Sequence, residues 1–190
     1  MEAFNMWESN SVLFVQENLR FEFLDPIMKF ITSLGDEGIV PIVLCILLMI
    51  FKKTRKVGIT AGTSLALEAI LVNVMIKKIV GRTRPYVVNE AIEYITKRPG
   101  DYSFPSGHTG CVFAVASVLF FMMPKKVGIP AMVVASLIGI SRLYVGVHYP
   151  TDIIGGFIIG MFTGFIAKLI VEKIGQKIAK KKQNKEVTDC

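Results

Sequence analysis

The chain contains two histidines, and each stands among residues suited to handling an anion. His108 follows Ser106 and Gly107. His148 follows Ser141 and Arg142 and lies four positions before Asp152. Lys77 and Arg84 make a third group upstream. Histidine titrates near neutral pH and serves as nucleophile, acid or base. Arginine offers planar, often bidentate donors to phosphate, and lysine a point charge. Ser106 and Gly107 stand just before an apolar run, where a helix start would present free N–H groups and its positive dipole end to an anion. The spacing of His148 and Asp152 suits one helical face. The carboxylate can then accept from one ring nitrogen and leave the other free to attack, as in activated-nucleophile catalysis. Cations aimed at a transferring phosphoryl group would stabilise its transition state.

The elements that must position these residues read as membrane helices. Of 190 residues, 52% are hydrophobic and only 19% charged, with a mean hydropathy of +0.53. Soluble domains carry about 45–50% apolar and about 25% charged residues. A disordered chain is excluded, and an ordinary soluble domain is a poor fit. The net charge is +7, yet the basic residues fall between long uncharged runs, so no nucleic-acid partner is expected. Apolar segments read at 23–34 (broken by Asp25 and Lys29), 38–51, 57–76 (with Glu68 and Asn73), 109–123, 127–141 and 153–167. A helix needs roughly 20 residues to cross a bilayer. Most runs are therefore short, and the polar residues flanking them must complete the helices. The expectation is an all-α integral membrane bundle of six transmembrane helices. Residues 1–22 read as an N-terminal interfacial helix rather than a secretory signal, because acids dominate the start.

Simple alternation of the last four spans brings Lys77, Arg84, Ser106, Gly107, His108, Arg142, His148 and Asp152 to one end. Thirteen of the 22 Lys and Arg lie in the 52–56 loop, the 124–126 turn and the tail. An excess of Lys and Arg marks the cytoplasmic side. A single domain over 1–190 is expected. Its 77–108 loop would form an extracytoplasmic active-site loop, and 174–190 a basic cytoplasmic tail. Six crossings would also place the N-terminus at the cytoplasmic end.

Other residues have plainer readings. Cys45 and Cys111 read as buried small hydrophobes, and Cys190, the last residue, as no prenylation box. Lys78 and Arg82 read as solvated or snorkelling cations. Tyr86, Tyr144 and Tyr149 read as interfacial aromatics. Glu68 is expected to face the bundle interior, packed against another helix and too far from Lys77 to touch the site. Gly155, Gly156, Gly160 and Gly164 predict close helix packing.

Three motifs stand out in order: Lys77-x6-Arg84-Pro85, Pro105-Ser106-Gly107-His108, and Ser141-Arg142-x5-His148-x3-Asp152. Together they resemble the signature of the type 2 phosphatidic acid phosphatases, a superfamily shared with the vanadium haloperoxidases. The resemblance implies that His148 attacks phosphorus and forms a phosphohistidine. Asp152 would orient His148, and His108 would protonate the leaving oxygen. Lys77, Arg84, Ser106, Gly107 and Arg142 would hold the phosphate oxygens. It implies no cofactor and no metal, a membrane-lipid phosphate as substrate and the bilayer as partner. Undecaprenyl diphosphate is the favoured substrate, with phosphatidylglycerophosphate and phosphatidic acid as alternatives. A non-enzymatic lipid-binding or transport protein is the reading from a different class.

Overall fold

The computed structural model describes residues 2–188, and every regular element among them is helical. Cys190 lies outside the described residues. Helix α1 spans Glu2–Leu19, α2 Asp25–Ser33 and α3 Ile39–Ile50. Helix α4 (Arg55–Ala69) continues through a π-helical segment, Ile70–Ile76, into α5 (Lys77–Val80). Then follow α6 (Pro85–Val88), α7 (Gly107–Met122), α8 (Lys125–Tyr144) and α9 (Pro150–Thr188).

Among the described residues, four stretches are long and apolar enough to cross a membrane: Asp25–Ile50, Arg55–Val88, Lys125–Tyr144 and Pro150–Lys181. Helix α7 is a fifth, shorter apolar helix. The all-α membrane bundle is thus as expected, but the count of six passes is not reproduced. The two runs at 23–34 and 38–51 fall within the single stretch Asp25–Ile50. Each is too short to span, and they join at a bend where Glu37 and Gly38 both take positive φ (52° and 65°). Helix α2 packs on α8, and past the bend α3 packs on α4.

Helix α7 forms the core, with every residue from Thr109 to Leu119 buried. It packs against α4, α8 and α9. Its approach to α9 depends on missing side chains, as the glycine spacing predicts. A Cβ at Gly156 would stand 2.6 Å from the Ser106 carbonyl oxygen, and one at Gly160 would stand 2.7 Å from that of Gly110. The outward faces of the spans carry exposed apolar side chains such as Ile79, Val133, Ile140, Ile158 and Phe162. These are the faces a bilayer would cover.

Two features set the stage for the site. The first is the π-helical segment. An α-helix turns about 100° per residue, so nine residues would set Glu68 and Lys77 on opposite faces. The wider i→i+5 turns of a π-helix rotate less per residue, and both side chains come to line one cavity. The second is α1. It turns Asn5, Glu8, Ser9 and Val12 inward and leaves Phe4, Trp7 and Phe14 exposed. It packs on α6 and on the adjoining ends of α8 and α9. The N-terminal helix therefore sits at the end of the bundle that gathers the motif residues. Six passes would have placed it at the opposite, basic end; merging the first two runs removes one crossing.

Candidate active site

Alternation of the chain brings the three motifs together at one end of the bundle. Lys77 opens α5, and Arg84 stands just before α6. Ser106, Gly107 and His108 form the start of α7, Arg142 lies in the last turn of α8, and His148 and Asp152 flank the start of α9. A cavity of about 800 Å³ opens there. Lys77, Arg84, Gly107, His108, Arg142 and His148 all line it. Ile42, Leu65, Ala69 and Cys111 extend its wall with apolar surface. Ser106 and Asp152 stand behind the lining. The Ser106 hydroxyl caps α7 by accepting from the Thr109 N–H, and its own N–H donates to the Asp152 carbonyl oxygen at 3.0 Å. A serine at this position satisfies a helix-start donor.

His148 is 1% exposed and Asp152 0%. The His148 Nδ1 lies 3.1 Å from Asp152 Oδ2. A carboxylate can only accept, so Nδ1 carries the proton and Nε2 keeps its lone pair. Arg84 Nη1 approaches that Nε2 at 3.4 Å. Burial pushes the His148 pKa down to about 3, against the hydrogen bond and charge of Asp152, and the Arg84 and Arg142 guanidiniums add to the lowering. The ring is therefore neutral at pH 7, the form in which its free nitrogen can attack.

The cations are held firmly. Arg84 donates to the Asp101 carbonyl oxygen (2.9 Å) and the Val147 carbonyl oxygen (2.8 Å). Arg142 Nη1 donates to the Thr32 hydroxyl at 2.6 Å, while its Nε has no hydrogen-bond partner. Two acids outside the motifs occupy the donors. The Asp101 carboxylate accepts from both Lys77 and Arg84. Burial alone would raise the Asp101 pKa, but Lys77 and then Arg84 outweigh it and hold it at about 2. At the bend between α2 and α3, Asp36 Oδ1 accepts from His108 Nε2 at 2.7 Å. Both acids are about half exposed, with side chains at 51% and 56%. They stand as acceptors where a phosphate would compete for the same donors.

Several residues differ from their sequence reading. Arg82 is not solvated but 4% exposed. It bonds Glu8, Asn5, Thr151 and Asp152 together. Lys78 is exposed, as expected. Tyr86, Tyr144 and Tyr149 are not belt residues: all three are buried in one apolar cluster with Val12, Val145 and Val147. Glu68 faces inward and packs against α7, where a Cβ at Gly110 would stand 2.1 Å from its Oε1. It is nevertheless not remote from the site, because the π-helical turns make it part of the cavity wall. Its Oε1 has no hydrogen-bond partner.

A membrane-spanning helical bundle that converges two histidines and three cations on one cavity, with a carboxylate behind one histidine, defines a membrane phosphatase, and the likeness to known proteins agrees. The PAP2 superfamily pattern matches residues 58–176. An undecaprenyl-diphosphatase of Sulfolobus acidocaldarius is 36% identical over 161 residues, which cover 82% of this chain and 77% of the relative. An undecaprenyl-diphosphatase of Bacillus subtilis is 32% identical over 143 residues, covering 75% and 72%. The crystal structure of a transmembrane PAP2-type phosphatidylglycerolphosphate phosphatase from Bacillus subtilis superposes with a TM-score of 0.70 at 30% identity. That match covers 90% of this chain and 86% of the other. The chain belongs to the PAP2 superfamily.

Proposed function

We propose that the protein hydrolyses the diphosphate of a membrane lipid, undecaprenyl diphosphate being the favoured substrate, at the extracytoplasmic face of the cell membrane. The observation that carries the chemistry is the buried His148, backed by Asp152 and facing three cations across one cavity. In the first half-reaction, His148 Nε2 attacks phosphorus and the bond to the leaving oxygen breaks. His108 gives that oxygen a proton. In the second, His108 takes a proton from water, the water oxygen attacks phosphorus, and the phosphorus–nitrogen bond breaks to free phosphate. Lys77, Arg84, Arg142 and the Gly107 backbone hold the phosphoryl oxygens, where positive charge stabilises the transition state most. With that charge supplied by side chains, the reaction needs no metal.

The substrate reading rests on the relatives of that name and on the apolar wall formed by Ile42, Leu65 and Ala69, which suits a lipid leaving group. The orientation rests on the basic segments at the end of the bundle opposite the cavity. Phosphatidylglycerol phosphate is the second reading, favoured by the structural match to a phosphatase of that substrate. The test is phosphate release by purified protein in detergent. Undecaprenyl diphosphate, phosphatidylglycerol phosphate and phosphatidic acid are compared at equal concentration, with and without EDTA. Turnover is expected to be fastest with the diphosphate and unchanged by EDTA. A higher kcat/KM for phosphatidylglycerol phosphate would replace the substrate reading, and inactivation by EDTA would end the metal-free mechanism. Cysteines introduced in the 89–98 loop are expected to be labelled from outside intact cells. Labelling only after lysis would reverse the orientation.

A further inference from the structure

Arg82 belongs to none of the three motifs, yet it is tied directly to the residue behind the nucleophile. Its Nη1 donates to Asp152 Oδ1 at 2.7 Å and to the Thr151 hydroxyl at 2.6 Å. Its Nη2 donates to Glu8, its Nε donates to Asn5 Oδ1 at 2.9 Å, and its guanidinium lies 3.9 Å from the centre of the Tyr149 ring. Glu8 also accepts from the Thr151 N–H and hydroxyl, at 2.7 and 2.8 Å. Side chains of Glu8, Arg82 and Asp152 are all 5% exposed or less. The result is one buried line of alternating charge, Glu8–Arg82–Asp152, ending on His148.

We propose that Glu8 and Arg82 are positioning residues that act on His148 through Asp152, so that the N-terminal helix α1 is part of the catalytic apparatus. The inference rests on reading His148 as the nucleophile. The Asp152 carboxylate has two oxygens with divided duties. Oδ2 accepts from His148, from the Ser103 hydroxyl (2.5 Å) and from the Tyr149 N–H (3.0 Å). Oδ1 is fixed by Arg82, which prevents the carboxylate from rotating away from the ring. A guanidinium paired with Asp152 alone would drain the negative charge that Asp152 offers to His148. Glu8 offsets that drain from the far side, so the line keeps a net charge of −1. That charge matters most once Nε2 bonds to phosphorus, because the ring, still protonated at Nδ1, then becomes cationic.

The experiment uses the full chain in detergent and compares Glu8→Gln, Arg82→Lys and His148→Ala. Phosphate release from undecaprenyl diphosphate, orthovanadate inhibition and the unfolding midpoint are measured for each. Glu8→Gln is expected to lower kcat about 10- to 100-fold, the range seen when the outer partner of a metal-bound histidine is removed. KM and the vanadate inhibition constant stay within about threefold, because Lys77, Arg84 and Arg142 are untouched. The acid limb of kcat moves to lower pH, since less negative charge faces His148 while Arg84 and Arg142 remain. Arg82→Lys keeps the charge and retains more kcat than Glu8→Gln. A purely structural role would instead move KM, vanadate inhibition and the unfolding midpoint together and leave the acid limb in place. Asn5→Ala removes one hydrogen bond to Arg82 without unpairing a charge, and it covers the case in which Glu8→Gln does not fold. A kcat loss of about threefold at constant KM is expected there. Wild-type kcat and pH profile in folded Glu8→Gln, or in Asn5→Ala where Glu8→Gln does not fold, overturn the inference. If His148→Ala is dead in the same assay, only this inference falls. If His148→Ala stays active, the nucleophile assignment itself falls.

Discussion

The two histidines occupy contrasting corners of one cavity. His148 has a side chain 2% exposed, and its partner Asp152 is fully buried. His108 is 23% exposed, and its partner Asp36 sits at a bend with 56% exposure. Around His148 the Asp152 carboxylate is fixed by three other donors from three segments of chain, and the ring has one tautomer and one position. Around His108 a single surface acid supplies the contact. The difference fits the proposed roles. An attacking nitrogen must hold its angle to phosphorus within narrow limits. A group that protonates a leaving oxygen must instead admit a lipid of varied shape, and it sits beside the open, apolar wall of the cavity.

The largest effect should come from the rigid corner. His148→Ala is expected to lower kcat/KM at least about 10,000-fold, as loss of a nucleophile does, and to abolish acid-labile phosphate on the protein. The loss should be equal for a lipid diphosphate and for p-nitrophenyl phosphate. His108→Ala should cost about 100- to 10,000-fold on the lipid, the range for general acid–base groups. With p-nitrophenyl phosphate the loss should be far smaller, because nitrophenolate departs without a proton. Equal losses on both substrates would erase the contrast between the two corners. The pH profile sharpens it further. The His148 pKa is lowered to about 3, so acidification from pH 7 to pH 5 leaves its ring neutral. Once corrected for substrate ionisation, kcat/KM should show no acid limb at 6.5 from this residue. Asp101→Asn removes the charge that competes for Lys77 and Arg84, and should tighten orthovanadate inhibition about three- to tenfold; weaker inhibition would make Asp101 a supporting residue instead. The smallest effect is expected at Glu68, where Glu68→Gln keeps the shape of the cavity wall and should leave kcat within about threefold. Loss of turnover with an unchanged unfolding midpoint would bring Glu68 into the reaction.

The motif residues were legible because alternation of spans needs only chain order, and Lys77, His108, Arg142 and His148 meet as that order requires. The charge line behind them was not. Arg82 meets Glu8 and Thr151 across 74 and 69 positions, and nothing local marks an arginine as paired at such range. Asp36 and Asp101 were hidden for the same reason: each lies in a connection between the main helices, where position is set by tertiary packing rather than periodicity. The merged first span had a signal that could have been used. Runs of 12 and 14 residues are each too short to cross and lie only a few residues apart, so their sum was the better candidate. Tyr86, Tyr144 and Tyr149 misled because an aromatic near a span end suits an interface and a buried cluster equally well. Their neighbours Val145 and Val147 show which applies here.

The π-helical turns at Ile70–Ile76 make helical winding itself a functional quantity. At about 100° per residue, removal of a single residue there would restore plain α-helical winding with Lys77 eight positions after Glu68, about 80° away and still on the cavity side. Plain winding with all nine positions kept would instead carry Lys77 to the opposite face, and the cavity would lose its lysine with every motif residue still present in the sequence. The stretch therefore tolerates one residue fewer but not a straightening at full length: a chain with all three motifs intact and regular α-helical winding between positions 70 and 76 would read as an enzyme and be aimed wrongly.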